Sequence, residues 1–349
     1  MILRNVALLI ATTLPVTLQS QAMSYPGARW DTVAGADRQR WSQDSLRAIG
    51  DFVAALGSGA VVVIDDGRLV AQWGEPHRPF PLTSVRKSLL HSLLGIEVGA
   101  GRLRLESTLS DLGIDDEPAL TTAERRATVS DLLAARSGIY HEAAYEPASM
   151  RLRRPQRGSA APGERWFYNN WDFNALGTVY ENVSGRSVFA GFDEAIARVI
   201  EMEDFRISHG ENVREALSVH AAYTFRLSAS DLARYVLLYA RGGKWRDIQV
   251  VPADWVELGT RAHTDAGEDG AYGMLWWRAV KGHLVPGVSL DSTAFAARGL
   301  GPHYAVAIPS RKLIIVHLAN TDTPSPSNWV ERASVGMIIT RVLRAQTGS

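Results

Sequence analysis

The chain has 349 residues, 46% hydrophobic and 21% charged, with 37 basic side chains balancing 37 acidic ones for a formal net charge of zero. That composition suits one large or two ordinary globular domains, and with no basic run interleaved with aromatics it disfavours nucleic acid and anionic membrane surfaces as partners. The zero net charge makes a small neutral substrate the better fit, and the absence of cysteine excludes disulfides, thiol chemistry and cysteine-ligated metal.

Arg4, an apolar stretch from Val6 to Leu18 and the small residues of Ser20-Gln21-Ala22 predict a secretion signal over residues 1 to about 22, hence a periplasmic or secreted protein. The stretch is too short for a membrane span, and no later segment approaches about 18 uncharged apolar residues, so the mature chain is expected to have none. Over 43–56 the apolar residues Leu46, Ile49, Val53 and Leu56 recur at helical spacing and Gly57-Ser58-Gly59 ends the run. Two β-rich runs, 60–64 and 69–73, then flank Asp65-Asp66-Gly67-Arg68, the signature of an antiparallel hairpin.

The next element opens on Ser84-Val85-Arg86-Lys87 and continues through Leu89, Leu90, Leu93, Leu94, Ile96 and Val98 to Gly99 and Gly101, which predicts a helix over 84–100. Residues three apart share a helix face, so Ser84 Oγ and Lys87 Nζ can meet. Lysine is rare here, the other three being Lys244, Lys281 and Lys312. Arginine cannot lose its proton at working pH, whereas a lysine whose surroundings disfavour charge can, so a serine that needs a base needs the lysine. With four lysines and 27 serines chance supplies about 0.3 such pairs, so the pair alone does not decide between catalysis and coincidence.

Further helices are predicted over 129–135, 174–183, 188–200 and 229–241, the last capped by Ser228 and stopped by Gly242-Gly243. The Arg-, Pro-, Gly- and Ser-rich stretch 151–163 reads as an exposed loop. Tyr168-Asn169-Asn170 follows it. Tyr168 carries a phenol able to pass protons and Asn170 an amide able to orient a lysine or a carbonyl; a core tyrosine with a capping asparagine fits the same letters. Strands return at 304–308 and 313–318, joined by Pro309-Ser310-Arg311-Lys312, and 334–343 closes as a helix. The sheet thus draws on both ends of the chain: 23–83 and 242–349 form an α/β sandwich, and 84–241 a mainly helical domain, with Ser84 at the cleft between them.

Taken in order, Ser84-x-x-Lys87, Leu132-Leu133-Ala134-Ala135-Arg136-Ser137-Gly138, Pro162-Gly163 leading into Tyr168-x-Asn170, and Tyr272-Gly273-Met274-Leu275-Trp276-Trp277 resemble the serine hydrolases of the class C β-lactamase superfamily, over about residues 40–345. The closest likeness is to β-lactamase-fold carboxylesterases and 6-aminohexanoate-dimer hydrolases. The resemblance implies an α/β (α+β) fold of the β-lactamase/transpeptidase type, an antiparallel sheet flanked by helices plus an inserted all-helical domain. It further implies acylation of Ser84, with Lys87 or Tyr168 as base and Asn170 orienting Lys87 and the scissile carbonyl. The superfamily's third motif, commonly Lys-Thr-Gly, has no literal counterpart. Ala297-Arg298-Gly299-Leu300 stands in its place, and the resemblance would pair Leu300 N–H with Ser84 N–H as oxyanion donors beside Gly299. Loss of that lysine, which helps to hold a substrate carboxylate in β-lactamases and peptidases, turns the expectation from penicillins to esters or linear amides. A β-lactamase or D,D-peptidase is the alternative within the enzyme class, and a catalytically silent ligand-binding relative the alternative outside it.

Trp171, beside Asn170, and Trp276 are expected to wall an apolar acyl pocket, though Trp276 and Trp277, being adjacent on a strand, point to opposite faces and only one can do so. His141, His303 and His317 lack metal spacing and read as structural. No Gly-x-Ser-x-Gly elbow and no complete nucleotide loop occur, so neither metal nor cofactor is assigned.

Overall fold

The computed structural model describes residues 23–323 and 330–346; the predicted secretion signal lies outside the described residues. Its main sheet has eight strands: β1 Ser58–Asp65, β2 Arg68–Gly74, β3 Thr264–Asp265, β4 Ala271–Tyr272, β5 Trp277–Arg278, β6 Phe295–Gly299, β7 His303–Ile308 and β8 Leu313–Ala319. Their order is β2-β1-β8-β7-β6-β5-β4-β3, every neighbour antiparallel. The β1–β2 turn is two residues long, and Asp66 and Gly67 both have positive φ (46° and 81°), the backbone that matches strand twist and that Asp-Gly tolerates. β1 then pairs with β8, Val62 opposite Val316 and Ile64 opposite Ile314, so strands from the early and late parts of the chain are neighbours in the sheet.

Period-two alternation divides the core. Ala60, Val62, Ile64, Ala305 and Val316 face one cluster, and Val61, Val63, Tyr304, Val306 and Ile315 face the other. Five helices frame the sheet and the site: α1 Gln43–Ala55, α2 Arg86–Gly99, α3 Asn170–Ser184, α4 Ala229–Ala240 and α5 Arg332–Ala345. Helices α1 and α5 pack together over the second cluster, while α4 lies against β1, β7 and β8 on the first. Ser42 and Ser228 accept from the backbone N–H groups of Ser45 and Asp231 and start α1 and α4. The chain leaves the sheet after β2 and returns at β3, and helices joined by long loops make up most of the regular structure between.

Helix α2 runs through the middle of that block. Every residue from Arg86 to Gly95 is buried, so it behaves as a core helix packed all round. A three-stranded sheet of Phe80–Pro81, Gly210–Val213 and Ala222–Leu227 sits at its entry. The first predicted turn of the helix is a 3₁₀ turn, Thr83–Val85, and the helix expected over 188–200 is α-helical only over Val188–Phe192 before a π-helical Asp193–Ala197. No helix among the described residues is long and apolar enough to cross a membrane.

Candidate active site

Ser84 occupies the 3₁₀ turn that feeds α2, and Lys87 lies one turn further on, so their side chains emerge on one face. Lys87 Nζ lies 2.6 Å from Ser84 Oγ. The lysine is 2% exposed, and burial, reinforced by the neighbouring Arg86 guanidinium, holds it well below its ordinary value of 10.5. Among the described residues no carboxylate offsets that effect. Instead the ammonium position is bounded by the rings of Tyr168 and Phe173, each centred 4.9 Å away. Arg86 turns aside: Nη2 donates to Asn174 Oδ1 at 3.0 Å and the guanidinium covers the Tyr223 ring at 4.4 Å.

Tyr168 arrives from the segment 163–168, which is laid onto the Ala135–Arg136 turn by two backbone bonds, Gly163 N–H to Arg136 O (2.8 Å) and Phe167 N–H to Ala135 O (2.9 Å). The turn is held in its own right, because Ser137 Oγ donates to the buried Asp172 carboxyl at 2.6 Å. Burial pushes that carboxyl well above its usual range against the hydrogen bonds from Ser137 and Asn169. Burial raises the pKa of the Tyr168 hydroxyl, and the nearby Ser84 hydroxyl, then the cations Arg86 and Arg298, pull it back. Asn170 takes a different place from the one its position in the pattern suggests. Its Nδ2 donates to Tyr145 O at 2.7 Å and its N–H to Met150 Sδ, while Oδ1 is buried without a hydrogen-bond partner. Among the described hydrogen bonds none joins Asn170 to Lys87, and the amide anchors the Tyr145–Met150 wall. Asn169 supplies the cap of α3, accepting from Trp171 N–H.

The strand β6 runs through the stretch that stands for the third motif. A Cβ on Gly299 would come within 2.4 Å of Thr83 Oγ1 and 2.7 Å of Leu82 O, so only glycine lets the strand lie this close to the Ser84 turn. One residue on, the Leu300 carbonyl accepts from Thr83 Oγ1 at 3.0 Å. Ser84, Tyr168, Gly299 and Leu300 all border one open cavity of about 790 Å³, walled also by Trp166, Phe167, Trp277 and Met150.

Two expected walls are elsewhere. Trp171 is fully buried beneath the site, its Nε1 donating to Asp116 Oδ2 at 2.6 Å, because the first turn of α3 points that face into the helical block. Trp276 is also fully buried, packed on Tyr235, Tyr239 and Phe295. Trp276 lies in the bend before β5, and Trp277, the first residue of that strand, borders the cavity with its ring centred 5.7 Å from that of Tyr168. Thr83, Arg298, Asp269 and Arg332 also lie at or beside the site. Thr83 has a φ of 46°, which a sequence does not display, and Asp269 and Arg332 reach the cavity only through the tertiary fold. Arg298 did carry a signal, its place one residue before Gly299.

Comparison with solved structures finds the same architecture at low sequence identity. A Bacillus anthracis protein described as a 6-aminohexanoate-dimer hydrolase matches with a TM-score of 0.66 and 18% identity over 94% of this chain and 91% of its own. A class C β-lactamase matches at 0.63 and 16% over 91% and 99%, and a penicillin-binding protein from Bacillus halodurans at 0.62 and 17% over 84% and 98%. No curated protein matches. The family model for Beta-lactamase covers residues 47–335, most of the chain and every residue of the cluster around Ser84, and the chain therefore belongs to the Beta-lactamase family of serine hydrolases.

Proposed function

We propose that the protein is a secreted hydrolase of carboxylic esters or non-peptide, linear amides that works through an acyl-Ser84 intermediate. The observation that carries this reading is the 2.6 Å approach of Ser84 Oγ to a lysine buried beside a second cation. An ordinary lysine, at about 10.4, is neutral in fewer than about one molecule in a thousand at pH 7. Lys87 is placed where its neutral form is favoured, so its lone pair can take the serine proton.

Attack forms the Oγ–carbonyl carbon bond as the Ser84 proton passes to Lys87, directly or by way of Tyr168. The oxyanion is received by the backbone N–H groups of Ser84 and Leu300, a kind of donor typically worth about 3–4 kcal/mol. Collapse breaks the bond to the alkoxide or amine, which leaves with the proton from the Lys87–Tyr168 pair. Water then attacks the acyl-serine, its proton returning through the same pair, and the acid is released. The aromatic and aliphatic cavity wall supports an acyl group of modest size, and the Bacillus anthracis relative's description names a 6-aminohexanoate dimer as its substrate. Export is supported by the Val6–Leu18 stretch behind Arg4.

The test is fluorophosphonate labelling and turnover of a panel comprising p-nitrophenyl esters, a linear amide dimer and nitrocefin. Labelling and ester or amide turnover that vanish in Ser84→Ala are expected. Lys87→Arg, which keeps much of the length but cannot give up its proton to act as the base, is expected to lose acylation. No labelling and no turnover of any substrate would leave a silent binding protein, and nitrocefin turnover well above that of the esters would move the substrate to β-lactams.

A further inference from the structure

We infer that Arg298 is a positioning residue that stabilises the negative charge Tyr168 develops when it passes a proton. The inference rests on the reading of Ser84 as the acylated nucleophile. Arg298 stands one residue before Gly299 on β6 and borders the cavity that Ser84 opens on. Its guanidinium is fixed on three sides. It lies 4.2 Å from the Trp277 ring centre and 5.5 Å from that of Tyr304, and it donates to Asp269 through Nη2 (2.7 Å to Oδ1) and Nη1 (3.1 Å to the carbonyl). The Trp277 ring that carries it is the one packed on Tyr168 at 5.7 Å.

The charge is not cancelled by its partner. Asp269 also accepts from Arg332, whose Nε donates to the Tyr304 hydroxyl at 2.8 Å, so two guanidiniums share one carboxylate and the group keeps a net positive charge. The Arg298 side chain is only 10% exposed, which limits screening by water, and arginine keeps its charge at every working pH. The other groups facing Tyr168 are Lys87, Arg86, Ser84 and the phenols of Tyr272 and Tyr223. Lys87 is neutral in the working state and the two phenols are held uncharged by burial. Arg86 and Arg298 are therefore the fixed cations acting on the Tyr168 phenol, and of these Arg298 is on the cavity side, where the proton must be delivered.

The prediction has a sign. Protonation of the Lys87–Tyr168 pair sets the acid limb of Ser84 acylation, and a nearby cation disfavours that protonation. The second-order rate of fluorophosphonate labelling is to be measured from pH 5 to 10 on the full chain. Arg298→Gln is expected to move the acid limb up by about half to one pH unit, lowering the rate on that limb by about 3- to 10-fold while the high-pH plateau is largely retained. Arg298→Lys should keep the limb close to that of the wild type, since it keeps the charge. Asp269→Asn, which uncovers that charge, should move the limb down. An even loss of rate across pH with an unmoved limb in Arg298→Gln would make Arg298 a wall residue only and overturn the inference. Should that variant not fold, an unmoved or upward-moving limb in Asp269→Asn does the same. A wild-type chain that never labels at Ser84 sinks the proposed function and this inference together, an outcome distinct from labelling with an immobile limb.

Discussion

Thr83 holds the conformation that aims the nucleophile. A β-branched residue with a φ of 46° is an outlier that costs on the order of 1–3 kcal/mol and persists only where its surroundings impose it. Here the surroundings are the end of β6, where Leu300 O accepts from Thr83 Oγ1 at 3.0 Å. Thr83→Val keeps the shape and removes that bond. It is expected to lose about 1 kcal/mol of stability in a denaturant titration and roughly tenfold in the rate of Ser84 labelling, since Leu300 is then free to drift from the serine. Normal labelling at reduced stability would confine the hydroxyl to a structural part. The Ser84–Lys87 pair was legible because helix geometry fixes what residues three apart can do. Thr83 was not, because a strained dihedral leaves no mark on the letters around it, and the pattern at Asn170 suits both an amide that orients a substrate and one that holds a loop, the contact the structure shows.

At the scale of elements, the site is the place where the end of one strand presses against the start of one helix. Gly299 makes the contact possible, and the groups a Cβ would strike include the Leu82 backbone, which cannot swing aside as a side chain can. Gly299→Ala should therefore separate β6 from the Ser84 turn, lowering Ser84 labelling by about 100-fold or more, the loss expected when an oxyanion donor is misplaced. The cost in stability should stay within about 1–3 kcal/mol, as for other overpacked positions. Retained labelling would take Gly299, and Leu300 with it, out of the oxyanion site. The long elements were readable from periodicity: α1, α4, the β1–β2 hairpin, β7 and β8 all lie close to their predicted spans. Strands β3, β4 and β5 have two residues each, too few to show a period, and in β6 the arginine and glycine break the apolar run. Alternation did say that only one of Trp276 and Trp277 could face the cavity, but which one does depends on what packs against the other, here Tyr235 and Tyr239 from α4 on Trp276.

For the whole molecule, placing an uncharged lysine in the core opposes folding. Below 10.5 the unfolded chain takes up a proton on Lys87 that the folded chain, with the lysine held well below that value, does not. Stability from this group is thus complete only above 10.5 and falls as pH drops from there to the folded value, with a slope of about 1.4 kcal/mol per pH unit. Lys87→Met preserves much of the volume and removes the slope. Comparing the two chains at each pH cancels the contributions of other buried groups, among them His91, His303 and His317, whose burial lowers them to about 3, 3 and 4. The variant is expected to be the more stable chain at pH 7 in denaturant titrations and to lose Ser84 labelling altogether. Its advantage should shrink steadily as pH is raised toward 10. An advantage that stays constant over that range would mean that Lys87 keeps its proton in the folded protein, and a protonated lysine cannot be the base that activates Ser84.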